Sequence, residues 1–306
     1  MEQILYFNGK FVKESEVRIS PMTHALHYGT GCFEGIRAYY NNDDNALYIF
    51  RMKEHFERFK KSCKLLFITL PHSVDELCEV TKKLVQKNFN ETDLYIRPLA
   101  YKSDLAVGNF HLPSLKDSLL IYTVPLGRYL QAEEGIRVNV SSWTRVSDNS
   151  IPPRAKITGS YINTALAKTE SVFNGYHEAL FMDKNGHIVE GSAENIFVVK
   201  NGKIYTPYVA DDILQGITRD TIIKLCQDEL GIAVEERSID RSELYQVDEI
   251  FLVGTGAEVS SVVEVDKREI GDGKVGPIAK RIKELYFDIV HGKNKKYQQW
   301  LTKVTK

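Results

Sequence analysis

Residues 178–206 read EALFMDKNGHIVEGSAENIFVVKNGKIYT, and this stretch decides the fold class. Short strand-like runs alternate with tight turns at Asn185-Gly186 and Asn201-Gly202. Asn-Gly between apolar runs is a strong short-range hairpin signal, because both turn residues take positive φ readily. Strands that follow one another as hairpins, without crossover helices between them, argue for an α+β fold over a doubly wound sheet.

The rest of the chain extends this pattern. Ile4 to Phe7 is a short apolar run closed by Asn8-Gly9, and Ile36 to Tyr40 and Ala46 to Phe50 flank the polar turn NNDDN. From Arg51 the period changes, with Phe56, Phe59, Cys63 and Leu66 on one helical face. Ser73 with Glu76 forms a capping box that opens a second helix. Leu94 to Tyr101, Leu119 to Val124 and Ile136 to Val140 read as strands, and Ile162 to Phe173 as a helix. Thr218 is expected to open a helix that Gly231 stops, and Pro277 to open another that reaches about Val290. Strands recur near 232–237, 249–253 and 258–265. The residues from His291 on hold five lysines and no acid, which reads as a solvated tail. The expected division is a first domain over 1–125, a linker over 126–134 and a second domain over 135–306.

Composition narrows the function classes. The 306 residues are 43% hydrophobic before 20 glycines are counted, as in a globular chain. Lysine and arginine number 40 against 41 aspartate and glutamate, so bulk charge does not attract nucleic acid. No apolar run is long enough to span a membrane, and the start MEQILYFNGKFVKESE lacks a signal-peptide layout. The four cysteines have no CxxC spacing, which suits a reduced, cytoplasmic protein.

Gly271 to Gly276 matches GxGxxG, but no buried strand pattern precedes it and no acid follows at the needed distance. His24 and His27 are three apart, and no metal site is expected from them. Four segments point together elsewhere. Lys156 sits between the Pro152-Pro153 loop and a helix start, a place where an amine can be held and partly desolvated. Glu190 to Asn195 (EGSAEN) supplies an acid among small residues. Gly216-Ile217-Thr218 opens a helix whose N–H groups suit an anion, and Gly254 to Glu258 (GTGAE) ends a strand with small residues. A lysine, a carboxylate and two phosphate-cradling turns are the parts needed for pyridoxal phosphate chemistry.

The segments HALHYGTGCFEGIR (24–37) and YIRPL (95–99), with those just described, resemble the branched-chain amino acid aminotransferases of the fold-type IV, pyridoxal-phosphate-dependent family. The resemblance covers nearly the whole chain. It implies a two-domain α+β architecture with a small α/β lobe and a larger, β-rich, cofactor-binding lobe. It implies ping-pong transamination of leucine, isoleucine or valine with 2-oxoglutarate or glutamate. Lys156 would form the Schiff base and shuttle the proton, while Glu190 pairs with the pyridine nitrogen. Arg58, Gly216, Ile217, Thr218 and Thr255 would bind the phosphate, and Tyr161 the phenolate oxygen. Tyr28, Phe33, Gly35 and Tyr129 would line the substrate pocket. Tyr95 and Arg97 would take the γ-carboxylate, and Gly256 and Ala257 the α-carboxylate. Tyr28 and the loop Gly108 to His111 would come from a second subunit, which implies at least a homodimer. Leu126, Arg128 and Gly256 depart from the usual pattern on the pocket side. A D-amino acid transaminase or aminodeoxychorismate lyase would share the same cofactor residues, and a non-catalytic pyridoxal-phosphate-binding regulatory protein would differ in class.

Overall fold

The computed structural model describes residues 2–127 and 133–306. Tyr129 and Arg128 lie outside the described residues. The chain divides into two compact units, one of Met1–Gly127, Ala155–Gly159 and Asp288–Lys306, the other of Arg128–Arg154 and Ser160–Phe287.

In the first unit, β1 (Ile4–Phe7) and β2 (Lys10–Lys13) form a hairpin whose turn residues Asn8 and Gly9 have φ of +45° and +90°. With β3 (Gly31–Phe33), β4 (Ile36–Asn41), β5 (Ala46–Phe50), β6 (Leu94–Lys102), β7 (Asp117–Pro125) and the C-terminal strand Leu301–Thr305 they build an eight-stranded antiparallel sheet. Its order is C-terminal strand, β5, β4, β6, β7, β1, β2, with β3 paired to β6. Three helices accompany it: α1 (His24–Tyr28), α2 (Met52–Leu65) and α3 (Val74–Lys87). The capping box at α3 is present: Ser73 Oγ accepts from Glu76 N (3.2 Å) and Glu76 Oε2 from Ser73 N (2.7 Å).

Two expectations about this unit need correction. Residues 301–305 are a strand, not solvated tail, and pair with β5 from Leu301↔Phe50 to Thr305↔Ala46. An uncovered edge would leave β5 backbone groups unpaired, although every β5 residue is buried. Val304 and Tyr297 are buried, Tyr297 stacks on Trp300 at 4.6 Å, and Lys303 keeps its charge outside beside Asp44 at 3.2 Å. The segment Ala155–Gly159 also groups with this unit, although a boundary at 135 put it in the second. Ile157 bridges to Cys32, Phe33 N donates to Lys156 O (3.0 Å), and Gly159 N donates to Gly29 O (3.1 Å). A Cβ on Gly29 would lie 2.5 Å from Gly159 Cα, so this approach requires glycine.

The second unit holds β8 (Ile136–Val140), β9 (Glu178–Met182), β10 (His187–Gly191), β11 (Asn195–Lys200), β12 (Lys203–Thr206), β13 (Val234–Glu236), β14 (Ile239–Asp240), β15 (Glu249–Gly254), β16 (Glu258–Val265) and β17 (Arg268–Glu269). The pairings β11–β15–β16–β8–β9–β10 return to β11, closing a ring of strands. Alternate residues such as Val138, Leu180, Ile188, Ile196, Leu252 and Val262 form one core cluster. The opposite parity, with Ala179, Phe181 and Val189, packs with Ala167 of α4 (Tyr161–Phe173). The helix α5 (Ile217–Leu230) is capped by Gly216, so Thr218 lies in the first turn and is not the cap. The last helix, α6 (Pro277–Val290), spans the range between its opening proline and Gly292. Among the described residues no helix is long and apolar enough to cross a membrane.

Candidate active site

The first unit assembles one group of the expected site residues around β3 and its continuation. Phe33 is 5% exposed, and its ring has Arg97 Cζ at 4.3 Å and Lys156 Nζ at 5.0 Å. The backbone on either side of Lys156 is fixed. Its N–H donates to Ser62 Oγ on α2 (3.2 Å), and Thr158 Oγ1 donates to Gly29 O (2.8 Å). Arg97 Nη2 donates to Tyr95 Oη (2.9 Å), while Arg97 Nε is buried and finds no hydrogen-bond acceptor among the described residues. A Cβ at position 35 would lie 2.1 Å from that Tyr95 hydroxyl, which is why glycine stands there.

Arg58 belongs to the same unit and is engaged by an acid that the sequence did not single out. Its Nε donates to Glu34 Oε1 (2.7 Å) and its Nη2 to Glu34 Oε2 (2.8 Å), a bidentate pair. His55 Nδ1 donates to Glu34 Oε2 (2.8 Å). Burial alone would raise the Glu34 carboxyl, but Arg58 and the hydrogen bonds from His55 and Arg58 hold it well below the usual carboxylate range. Burial pushes the His55 imidazole down, so it is neutral near pH 7. His55, Arg58 and Ser62 lie on one face of α2 at helical spacing.

Tyr28, at the end of α1, sits with the loop that the resemblance pairs it with. Gly108 N donates to Tyr28 Oη (3.1 Å), and the Phe110 ring meets the Tyr28 ring edge-on at 5.1 Å. His24 is held by Thr30 Oγ1 (2.8 Å) and Asn109 O (2.9 Å), and His27 by Pro21 O (2.8 Å).

The second unit assembles the other group. A bulge between Ile188 and Glu190 sets Glu190 opposite Phe181 instead of the core residue Leu180. The acid is thereby turned out of the ring's core, onto the face where Asn195 closes the ring as its partner. Glu190 is 4% exposed, and both of its oxygens are occupied. Arg145 Nε lies 2.8 Å from Oε1, while Asn195 Nδ2 (3.2 Å) and Leu214 N (3.1 Å) donate to Oε2. Asn195 Nδ2 also donates to Leu214 O (2.9 Å). A Cβ on Gly216 would lie 2.1 Å from Asn195 Oδ1, so the start of α5 lies against the acid's own support. No side chain caps that helix. The positive end of its dipole suits an anion there. Thr255, Gly256 and Ala257 make the turn between β15 and β16, closed by the pair Gly254↔Glu258. Tyr161 is the first residue of α4.

Taken singly, these groups suit parts of pyridoxal phosphate: in the second unit a buried acid suits a ring nitrogen and a helix start suits a phosphate, and in the first unit an arginine suits a phosphate and a fixed lysine an aldehyde.

Sequence reasoning missed Arg145, Glu34, His55 and Ser62. Arg145 stands in a polar loop without periodicity and left no signal. Glu34 left none either, but His55 and Ser62 had one: with Arg58 they are polar residues on a helix face otherwise marked by Phe59 and Cys63.

Comparison with known proteins places the fold in one class. The family profile described as "Amino-transferase class IV" matches residues 31–265. The chain belongs to that family. Within it, the chain is 50% identical over 302 residues to the probable branched-chain-amino-acid aminotransferase of Aquifex aeolicus (strain VF5), covering 98% of this chain and 96% of that protein. It superposes with a TM-score of 0.94 and 42% identity on the branched-chain aminotransferase from Thermoproteus uzoniensis with norvaline, covering 99% of each chain. The T.th. branched-chain amino acid aminotransferase complexed with N-(5'-phosphopyridoxyl)-L-glutamate gives 0.93 and 42%, covering 98% of each. The fold is the α+β fold-type IV architecture.

Proposed function

We propose that the chain is a pyridoxal-phosphate-dependent branched-chain-amino-acid aminotransferase that exchanges an amino group between leucine, isoleucine or valine and 2-oxoglutarate. The observation that carries the substrate assignment is the pairing of an apolar ring with an open donor. Phe33 offers a surface for an aliphatic side chain, and the buried Arg97 Nε beside Tyr95 Oη offers a carboxylate site. One pocket must serve both substrates in turn, and these two features suit one each.

Pyridoxal phosphate, when bound, supplies the electron sink that makes the substrate Cα–H acidic. The residues of the chain do the rest. Lys156 Nζ takes the Cα proton and later returns it. Glu190, beside Arg145 and taking two N–H donors, would pair with the ring nitrogen. Arg58, the start of α5 at Gly216, Ile217 and Thr218, and Thr255 hold the phosphate, and Tyr161 the phenolate oxygen. Gly256 and Ala257 amides take the α-carboxylate, while Tyr129 joins Phe33 and Gly35 as pocket lining. Tyr28 and Gly108 to His111 lie together on one unit, as a patch given to a second copy's pocket requires. The working form is thus at least a homodimer, and we place it in the cytoplasm.

Purified protein should be yellow, with a visible band that borohydride reduction removes. Lys156→Ala should lose the reducible band and turnover, and a variant that kept normal turnover would remove Lys156 from its role. L-Leucine with 2-oxoglutarate should give glutamate while D-alanine does not, and the reverse pattern would overturn the substrate assignment.

A further inference from the structure

Arg58 has to present its guanidinium in one orientation to bind a phosphate, yet arginine is a long side chain with many rotamers. The structure supplies what fixes it. Glu34 is fully buried between two pocket residues, Phe33 and Gly35, and its own backbone N–H donates to Pro98 O (2.9 Å). Its carboxylate grips Arg58 through Nε and Nη2 at 2.7 and 2.8 Å. The grip is itself fixed, because His55 Nδ1 donates to Oε2 at 2.8 Å and Gly35 N at 3.3 Å. His55 is 2% exposed and Glu34 is fully buried, so the acid and the imidazole are out of water. Apolar residues of α2 and β3 such as Phe59, Cys63 and Cys32 are also buried. A buried acid bound to a partly buried arginine is costly to desolvate and is weak as a stabilising device. Its use is orientation.

We propose that Glu34 and His55 are positioning residues that lock the Arg58 guanidinium for the cofactor phosphate, so that they set affinity for the phosphorylated cofactor and not for its ring. The proposal rests on the reading of Arg58 as a phosphate ligand. Two effects of Glu34 oppose each other. Its negative charge weakens the attraction of Arg58 for a phosphate, while its bidentate grip removes the rotamer freedom of Arg58. The second effect wins.

The test is equilibrium titration of cofactor-free protein with pyridoxal phosphate and, separately, with pyridoxal, followed by absorbance. Wild type should bind the phosphorylated form far more tightly. Failure of that would sink the cofactor reading itself, not the positioning role. Glu34→Gln should weaken pyridoxal phosphate by about tenfold or more, the scale on which a residue supporting a charged ligand group acts, and leave pyridoxal within about twofold. His55→Asn, which keeps the acid's charge, should weaken pyridoxal phosphate less but in the same direction, and Glu34→Asp should recover part of the loss. Unchanged or tighter pyridoxal phosphate binding in Glu34→Gln would overturn the proposal. So would equal loss of both ligands, which marks general damage to the fold.

Discussion

Gly35 is bare because the Tyr95 hydroxyl occupies the space that its side chain would fill. Gly35→Ala should push that hydroxyl away from Arg97 and raise KM for glutamate several-fold, with a smaller effect on leucine, as steady-state kinetics on each substrate will read. Arg97→Ala should likewise cost more on glutamate than on leucine, and equal losses would take Arg97 out of the carboxylate site. Glu194 makes a different prediction. Burial, reinforced by the neighbouring charge of Glu178, pushes its carboxyl up to about 8 from an ordinary 4.5. Between those values the folded chain keeps a proton that the unfolded chain has released. The group therefore costs stability progressively as pH rises through that window. Glu194→Gln should raise Tm by a few °C near pH 8, and by less near pH 5, about what 1–2 kcal/mol moves in a chain of this size. A gap that does not change with pH would show that Glu194 does not titrate there. Residues of this kind separate what is legible in a sequence from what is not. Lys156, Glu190 and Arg97 stand in segments with local signals. Arg145 and Glu34 matter through partners 45 and 24 positions away, and nothing local announces such a partner.

At the scale of elements, helices and hairpins are readable because each carries its own punctuation. The Ser73–Glu76 box, the Asn-Gly turns and the pair Pro277 and Gly292 mark real boundaries. Where punctuation is ambiguous, geometry decides. Thr218 is a better capping side chain than Gly216, but glycine fits beside Asn195 Oδ1 where any Cβ would clash, and this leaves the helix start uncapped. The bulge that re-aims Glu190 is invisible in a pattern of alternating residues, because it breaks that pattern. The C-terminal strand escapes sequence reading because its lysines outweigh Leu301 and Val304 in any local count, whereas its pairing with β5 is long-range. Deleting residues 301–306 should uncover β5 along its length, lower Tm and promote aggregation. Light scattering during thermal unfolding will measure both, and an unchanged transition would show that the strand contributes nothing.

For the whole molecule, near-equal charge of 40 against 41 is compatible with anionic ligands on the proposed reading, in which a few placed groups and not a general field would meet them. The same balance leaves little net repulsion between copies. Light scattering coupled to gel filtration should return at least twice the 34.9 kDa chain mass, and a stable monomer with full turnover would remove the second copy from the site. The closing of β5 by residues 301–305 also sets an order of events during synthesis. Every residue of the second unit, up to Phe287, leaves the ribosome before the strand that completes the first. The second unit can close its ring while the chain is still growing, whereas the unit that holds Lys156 waits for residues 301–305. A chain cut short a few residues early would carry a finished seat for the acid and the helix start, and an unfinished one for the amine.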